Sequence, residues 1–242
     1  MPGVRRNQKN QVVVLLSGGV DSVTLLHYLK KRFGSTAIHA ISFLYGQRHS
    51  REIRMARWQA ERVGVAEHRL VPMQFFGELT RGSSALTDRG LRIPDWRAIR
   101  HAPGRIIPTY VPNRNMVLLA IAAAYAESVG ARAVYYGAHR GDRYSYWDCT
   151  PQFVTRLNRV LGLKPEGAVV IRAPFARKTK AEIVKIGLAL GVDYSHTWSC
   201  YRGERVPCGR CPSCVERLLA FRRVGSRDPL IARFRTESLE EI

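Results

Sequence analysis

Two groups of residues in this 242-residue chain have the types and spacing that chemistry requires. The first is Ser17-Gly18-Gly19-Val20-Asp21-Ser22, directly after the apolar run 12–16. Paired glycines let backbone N–H groups close on phosphate oxygens, and the N-terminus of a following helix favours the negative charge. The hydroxyls of Ser17 and Ser22 would add donors. Asp21 is itself an anion, so it would meet a phosphate through Mg²⁺. No Gly-Lys-Ser/Thr follows, so this is no Walker A loop, and it does not match G-x-G-x-x-G. The bland alternative is an ordinary Gly-rich turn. Six matching residues placed directly after an apolar strand argue against it.

The second group is Cys200, Cys208, Cys211 and Cys214, four of the five cysteines, spaced C-x7-C-x2-C-x2-C. Cys208-Gly209-Arg210-Cys211 has the form of a metal knuckle, with the glycine letting backbone amides turn toward the sulfurs. Four thiolates satisfy tetrahedral Zn²⁺ and leave no open position, which describes one structural ion per chain. The rival is an iron–sulfur cluster. Zinc ranks first, because nothing else in the sequence calls for electron transfer. The fifth cysteine, Cys149, reads as a small buried hydrophobe, and neither His49 nor His139 has a partner histidine at metal spacing.

These groups need elements to hold them. Strand-like apolar runs at 11–16, 37–45, 67–72, 133–137 and 168–173 alternate with helical patterns at 22–33, 48–64, 113–129, 152–161, 178–190 and 214–224. That alternation predicts an α/β fold, a doubly wound, mostly parallel sheet with helices on both faces. Continuous runs such as Val-Val-Val-Leu-Leu fit strands buried on both sides. A small C-terminal zinc-binding appendage follows. The domain expectation is a basic tail over 1–10, a nucleotide-binding α/β domain over 11–195, and a metal-binding segment with a last helix over 196–242. Residues 77–112 form a long irregular stretch, read as a lid over the active site.

Composition bounds the rest. Apolar residues make up 45%, enough for a real core, and the formal charge is +20. Such a charge attracts polyanions, yet the basic residues are scattered, dense only in the N-terminal tail and around 214–227. Direct RNA binding is therefore not required. No run approaches the ~20 apolar residues of a membrane helix. The basic start leads into five apolar residues, short of the roughly 7–15 of a signal-peptide core. A cytoplasmic location is expected, where clustered cysteines bind metal more often than they form disulfides.

The loop 17–22 resembles the PP-loop of the ATP pyrophosphatase superfamily, whose members cleave ATP between the α- and β-phosphates and transfer AMP to an oxygen of the substrate. Taken with 45–53 (YGQRHSREI), 111–126 (VPNRNMVLLAIAAAYA), 174–187 (PFARKTKAEIVKIG), 197–200 (TWSC) and the three-cysteine knuckle, the chain from 12 to 219 resembles the 7-cyano-7-deazaguanine synthase family. The resemblance implies an ATP-dependent carbon–nitrogen ligase. The carboxylate of 7-carboxy-7-deazaguanine is adenylated, ammonia gives the amide, and a second activation gives the nitrile. It implies ATP, Mg²⁺ and Zn²⁺, a homodimer, and a product for queuosine or archaeosine biosynthesis. ATP would lie along Leu16, Ser17, Gly18, Gly19, Val20, Asp21, Ser22, Val23, Thr24, Leu25 and Leu26, with Ser17, Asp21 and Ser22 also acting in catalysis. Arg114 would hold a carboxylate or phosphate, and Lys178 and Lys180 would neutralise pyrophosphate. Tyr45, Gln47, Arg48, Asp142, Tyr146 and Asp148 would bind the base. Free ammonia is the expected nitrogen donor, since the one catalytic domain is occupied by the ATP site.

One stretch departs from the family. Where it carries Tyr-Pro-Asp-Cys-Arg, this chain has Trp147 and Thr150 in place of the Pro and Arg. A divergent relative adenylating another carboxylated substrate, or a PP-loop tRNA-modifying enzyme, are the alternatives. The second would usually carry an RNA-binding domain or a redox cysteine pair, and neither is apparent.

Overall fold

The computed structural model describes residues 11–48, 50–99, 107–141 and 146–232. In chain order the elements are β1 (Val12–Leu15), α1 (Val20–Phe33), β2 (Ile38–Leu44), α2 (Arg51–Val63), β3 (Glu67–Pro72), α3 (Gln74–Leu79), α4 (Trp96–Ile99), α5 (Arg114–Ser128), β4 (Ala133–Tyr135), α6 (Pro151–Leu161), β5 (Val170–Arg172), α7 (Lys180–Ala189), α8 (Pro212–Arg223) and α9 (Pro229–Ala232). The strands form one parallel sheet in the order β3-β2-β1-β4-β5, which is the doubly wound architecture expected from the alternation.

Strand period explains why the sheet is buried on both sides. Val12, Val14, Ile38, Ala40, Ala133 and Tyr135 face a core shared with α1, α2, α7 and α8. Their neighbours Val13, Ile41 and Val134 face the opposite core, filled by α5, Phe153 of α6 and Ile171. Cys200, Cys211, Cys214 and Trp198 belong to that second core, so the cysteine segment packs into the body of the molecule.

Strand order reverses on either side of β1, and ligands of open parallel sheets bind beyond the carboxyl ends of the strands at such a switch point. The loops after β1 and β4 meet there. Gly18 has φ 83°, and a side chain on it would run into the Glu52 carbonyl and come within 2.8 Å of the Ala56 nitrogen. Only glycine lets the loop lie this close to α2. At Gly137, after β4, an added Cβ would stand 3.2 Å from the Ser22 nitrogen.

The described parts of the irregular stretch are tied down. Ala85 N donates to Pro108 O at 2.7 Å and Trp96 N to Arg210 O at 2.9 Å. Ser84, Ala85, Ile93, Thr109 and Val111 are buried. The rest of the stretch expected as a lid, 100–106, lies outside the described residues, as do the N-terminal tail 1–10 and His49.

Candidate functional site

A cavity of about 300 Å³ opens at the switch point, lined by Ser17, Gly19, Asp21 and Ser22 of the loop, Glu52 of α2, Arg114 of α5, Lys180 of α7 and Glu216 of α8. Leu86, Trp96, Ile99, Ile107 and Thr109 of the irregular stretch form part of its wall.

The loop is held open by its own hydroxyls. Ser17 Oγ and Ser22 Oγ are 2.9 Å apart, Gly19 N donates to Ser17 Oγ at 3.3 Å, and Ser17 N donates to Ser22 Oγ at 3.2 Å. Trp198 N donates to Gly18 O at 2.9 Å, so the loop is fixed from behind by the segment that leads into the cysteines. Of the residues expected along the nucleotide, Leu16, Ser17, Gly19, Val20, Asp21 and Ser22 line the cavity. Val23, Leu25 and Leu26 are fully buried core side chains. Thr24 Oγ1 lies 2.6 Å from Tyr194 OH inside that core. These four build the helix that presents the loop.

Asp21 is the electrostatic centre of the site. Its Oδ2 lies 3.2 Å from Lys180 Nζ and 3.9 Å from His139 Nε2. Gly141 N donates to His139 Nδ1 at 3.0 Å, which orients the ring with Nε2 toward Asp21. Burial pushes the Asp21 carboxyl up, but the Lys180 ammonium and then His139 outweigh it and hold the group below the ordinary carboxylate range. Among the described residues, Asp21 Oδ1 is buried with no hydrogen-bond partner. A buried carboxylate oxygen without a partner is costly, and a hard divalent cation satisfies it. The residues present therefore fit Mg²⁺.

Lys180, at the start of α7, is the lysine that reaches the cavity; it also lies 3.4 Å from Glu216. Lys178, two residues earlier, is not among the lining residues and makes backbone bonds to Phe175 and Arg140. Thr179 between them caps α7 through a reciprocal box with Glu182, which fixes the start of the helix.

Arg114 opens α5, with its guanidinium over the Tyr45 ring at 5.7 Å and Nη1 3.4 Å from Tyr45 OH. Among the described residues no carboxylate pairs with it, so its bidentate face is available to an anion. Asp148 is buried, accepts from Asn115 N at 3.0 Å and Asn115 Nδ2 at 3.2 Å, and does not line the cavity. It fixes the start of α5, and through it Arg114. Tyr45, Tyr146 and Tyr201 line the cavity. Gln47 and Arg48 line it too, yet their polar groups are spent on the protein. Gln47 accepts from Tyr45 N at 2.8 Å and donates to Phe43 O at 3.0 Å and Glu52 Oε1 at 3.2 Å. Arg48 donates to Ala85 O at 2.5 Å, Asp88 O at 2.7 Å and Leu91 O. Asp142 lies outside the described residues.

Where Trp147 and Thr150 depart from the pattern that the chain resembles, they have work of their own. Thr150 caps α6, its hydroxyl accepting from Phe153 N at 3.1 Å. Trp147 Nε1 donates to Tyr110 OH at 2.9 Å, and the Tyr110 ring stacks against Tyr146.

The cysteine cage closes beside this cavity. The four sulfurs lie within 4.8 Å of one another, with Cys208 Sγ and Cys214 Sγ 4.0 Å apart. Cys208 N points at Cys200 Sγ at 3.4 Å and Cys211 N at Cys208 Sγ at 3.3 Å. One tetrahedral ion with metal–sulfur bonds of about 2.3 Å places its sulfurs about 3.8 Å apart. The donor set and spacing fit a single zinc ion; a cluster of several irons would spread the sulfurs further. Cys211 stands at the N-cap position of α8 and Cys214 sits in its first turn. Ser199, Tyr201, Pro212, Ser213 and Glu216 from the same segment line the cavity.

The sequence reading did not single out Glu52, His139 against Asp21, Asn115 beneath Arg114, or the buried pair Arg217–Asp228. That last pair, at 2.6 Å, also binds Thr197 Oγ1 and Tyr194 O through the Arg217 guanidinium. Glu52 carried a signal, since it lies within the quoted stretch 45–53, in the first turn of the helix that abuts Gly18.

Comparison with known proteins gives the same outline. The family model described as queuosine biosynthesis protein QueC matches residues 11–225. The chain is 44% identical over 221 residues to the 7-cyano-7-deazaguanine synthase of Chromohalobacter salexigens, spanning 91% of this chain and 85% of that one. To the synthase of Caldicellulosiruptor bescii it is 44% identical over 222 residues, spanning 91% and 96%. Among solved structures it is similar to the NMN synthetase of Francisella tularensis, with 14% identity and a TM-score of 0.49 over 90% of this chain and 78% of that one.

Proposed function

The chain belongs to the QueC family of queuosine biosynthesis proteins, and from that premise we propose that it converts 7-carboxy-7-deazaguanine, ammonia and ATP into 7-cyano-7-deazaguanine. One observation carries the assignment to this site. The loop 17–22, Asp21, Lys180 and Arg114 all face one cavity at the sheet's switch point, and among the described residues Asp21 Oδ1 has no partner and Arg114 no carboxylate partner.

Carboxylate oxygen is a poor leaving group and AMP is a good one, so each oxygen has to be activated before nitrogen can replace it. The loop N–H groups and the start of α1 receive the phosphates. Mg²⁺, held by Asp21, would neutralise phosphate charge. Lys180, already paired with Asp21, draws the pyrophosphate away. Arg114 holds the substrate carboxylate in two-point contact and brings it to the α-phosphate. Tyr45, Tyr146 and Tyr201 offer flat apolar walls for a heterocyclic base. Zinc on the four cysteines is structural, because a four-thiolate site keeps no open position. A homodimer in the cytoplasm completes the reading; no helix among the described residues is long and apolar enough to cross a membrane.

The test is incubation of the purified chain with the carboxylated base, ATP, Mg²⁺ and either ammonium or glutamine, followed by mass spectrometry of the base. The nitrile is expected with ammonium and not with glutamine. An unchanged base under both conditions would overturn the assignment.

A further inference from the structure

The cavity holds one acidic side chain that the foregoing roles leave unused. Glu52 stands in the first turn of α2, and its backbone carbonyl is the atom that Gly18 avoids. An acid in a helix's first turn usually stabilises the free N–H groups there. Here the carboxylate turns to Gln47 instead, whose amide donates to Oε1 at 3.2 Å. That is the one hydrogen bond to the carboxylate among the described residues. Gln47 is itself locked by Tyr45 N and Phe43 O, so it acts as a rigid holder. The protein thus aims a carboxylate at the wall shared by the phosphate loop and Arg114, with no cation within ion-pair distance among the described residues.

We infer that Glu52 is the base that takes the proton from the attacking nitrogen. This rests on the function proposed above. Ammonia forms the C–N bond to the acyl carbon of the adenylate, and the carbonyl π pair moves onto oxygen. One N–H proton passes from the cationic nitrogen to a Glu52 oxygen. The oxygen pair then re-forms the C=O bond and breaks the C–O bond to AMP, which leaves with that electron pair. Glu52 returns its proton to solvent. The groups facing Glu52 are Gln47, Arg114 and Tyr45. Burial pushes its carboxyl up to about 7, against the opposing pull of the Gln47 hydrogen bond and the Arg114 charge. A carboxylate of that basicity accepts a proton near neutrality, which an ordinary glutamate does poorly.

The experiment separates two half-reactions in Glu52→Gln and Glu52→Asp. Exchange of labelled pyrophosphate into ATP, dependent on 7-carboxy-7-deazaguanine, reports adenylation without nitrogen. Amide formation at a fixed concentration of free ammonia reports the nitrogen step. Glu52→Gln should cut amide formation by about 100-fold or more, the range of a general base, while exchange stays within about threefold. Its rate should also lose the rise with pH through about 7 that is expected of the wild type. Glu52→Asp should recover part of the lost rate. Equal loss of exchange and amide formation would make Glu52 a structural residue and overturn the inference. So would a higher KM for the base at unchanged kcat, or no effect at all. Absence of base-dependent exchange in the wild type would instead strike the proposed function, and the assignment to Glu52 with it.

Discussion

Around the phosphate loop, bonding is incomplete. Asp21 Oδ1 is buried without a partner and Arg114 has no carboxylate among the described residues. In the cysteine cage, a few residues away in space, four sulfurs converge within 4.8 Å and receive N–H groups from their own chain. The first arrangement leaves valences for something that comes and goes. The second closes on something that stays. Yet they are mechanically one unit. Trp198 bonds Gly18, Tyr194 bonds Thr24, and Arg217 of the cage helix grips Tyr194 and Thr197. The cage acts as the back wall of the loop 17–22.

The largest effect should come from opening the cage. Cys211→Ser removes one thiolate from a buried set, and structural zinc contributes on the order of 10 kcal/mol to folding in small zinc domains. Metal analysis of the wild type should give one zinc per chain. The variant should lose it and melt far lower, with activity falling as a consequence. Iron and sulfide in the wild type would break the comparison.

Arg217→Met comes next. It leaves Asp228 buried and uncompensated, a change that costs about 3–5 kcal/mol. Chemical denaturation should show that loss. If the cage and loop are coupled as described, the folded fraction should also bind ATP more weakly.

Asp21→Ala belongs to the other region and should behave oppositely. Lys180 keeps Glu216 at 3.4 Å, so the fold should survive with its melting temperature nearly unchanged. Turnover should fall by about 10²–10³-fold or more, the scale of losing a preorganised charged group at a reacting centre. Near-normal pyrophosphate release would dissolve the distinction between the regions.

The smallest effect is expected at the boundary between them. Thr179→Ala removes the capping box of α7 and should cost about 1 kcal/mol of stability. Because Lys180 remains held by Asp21 and Glu216, turnover should change little. A drop as large as that of Asp21→Ala would show that the cap, rather than the ion pairs, places the lysine.

What the sequence disclosed follows from the range of the interactions involved. The five strands and the main helices were legible because two-sided burial writes continuous apolar runs, and caps and glycines punctuate them. The loop and the convergence of the cysteines were legible because the spacing of their residues is local. Gln47, Arg48 and Asp148 show where local reading stops. Each is a polar residue in a motif, and each spends its hydrogen bonds on backbone or side chains of the protein, many of them distant in sequence. Likewise Lys178 and Lys180 are equivalent as letters, and only the fold shows that Lys180 reaches the cavity, where Asp21 and Glu216 hold it. Glu52 was hidden for the same reason, since a first-turn glutamate looks like a helix-dipole partner until the fold turns it to Gln47.

The central claim, that an open phosphate site activates both carboxylate oxygens in turn, is tested most directly by counting products. With 7-carboxy-7-deazaguanine and ammonium supplied, the account requires two AMP and two pyrophosphate for each nitrile formed, one pair for each oxygen lost. ADP and inorganic phosphate in their place, or a nitrile made at the expense of a single AMP, would contradict it.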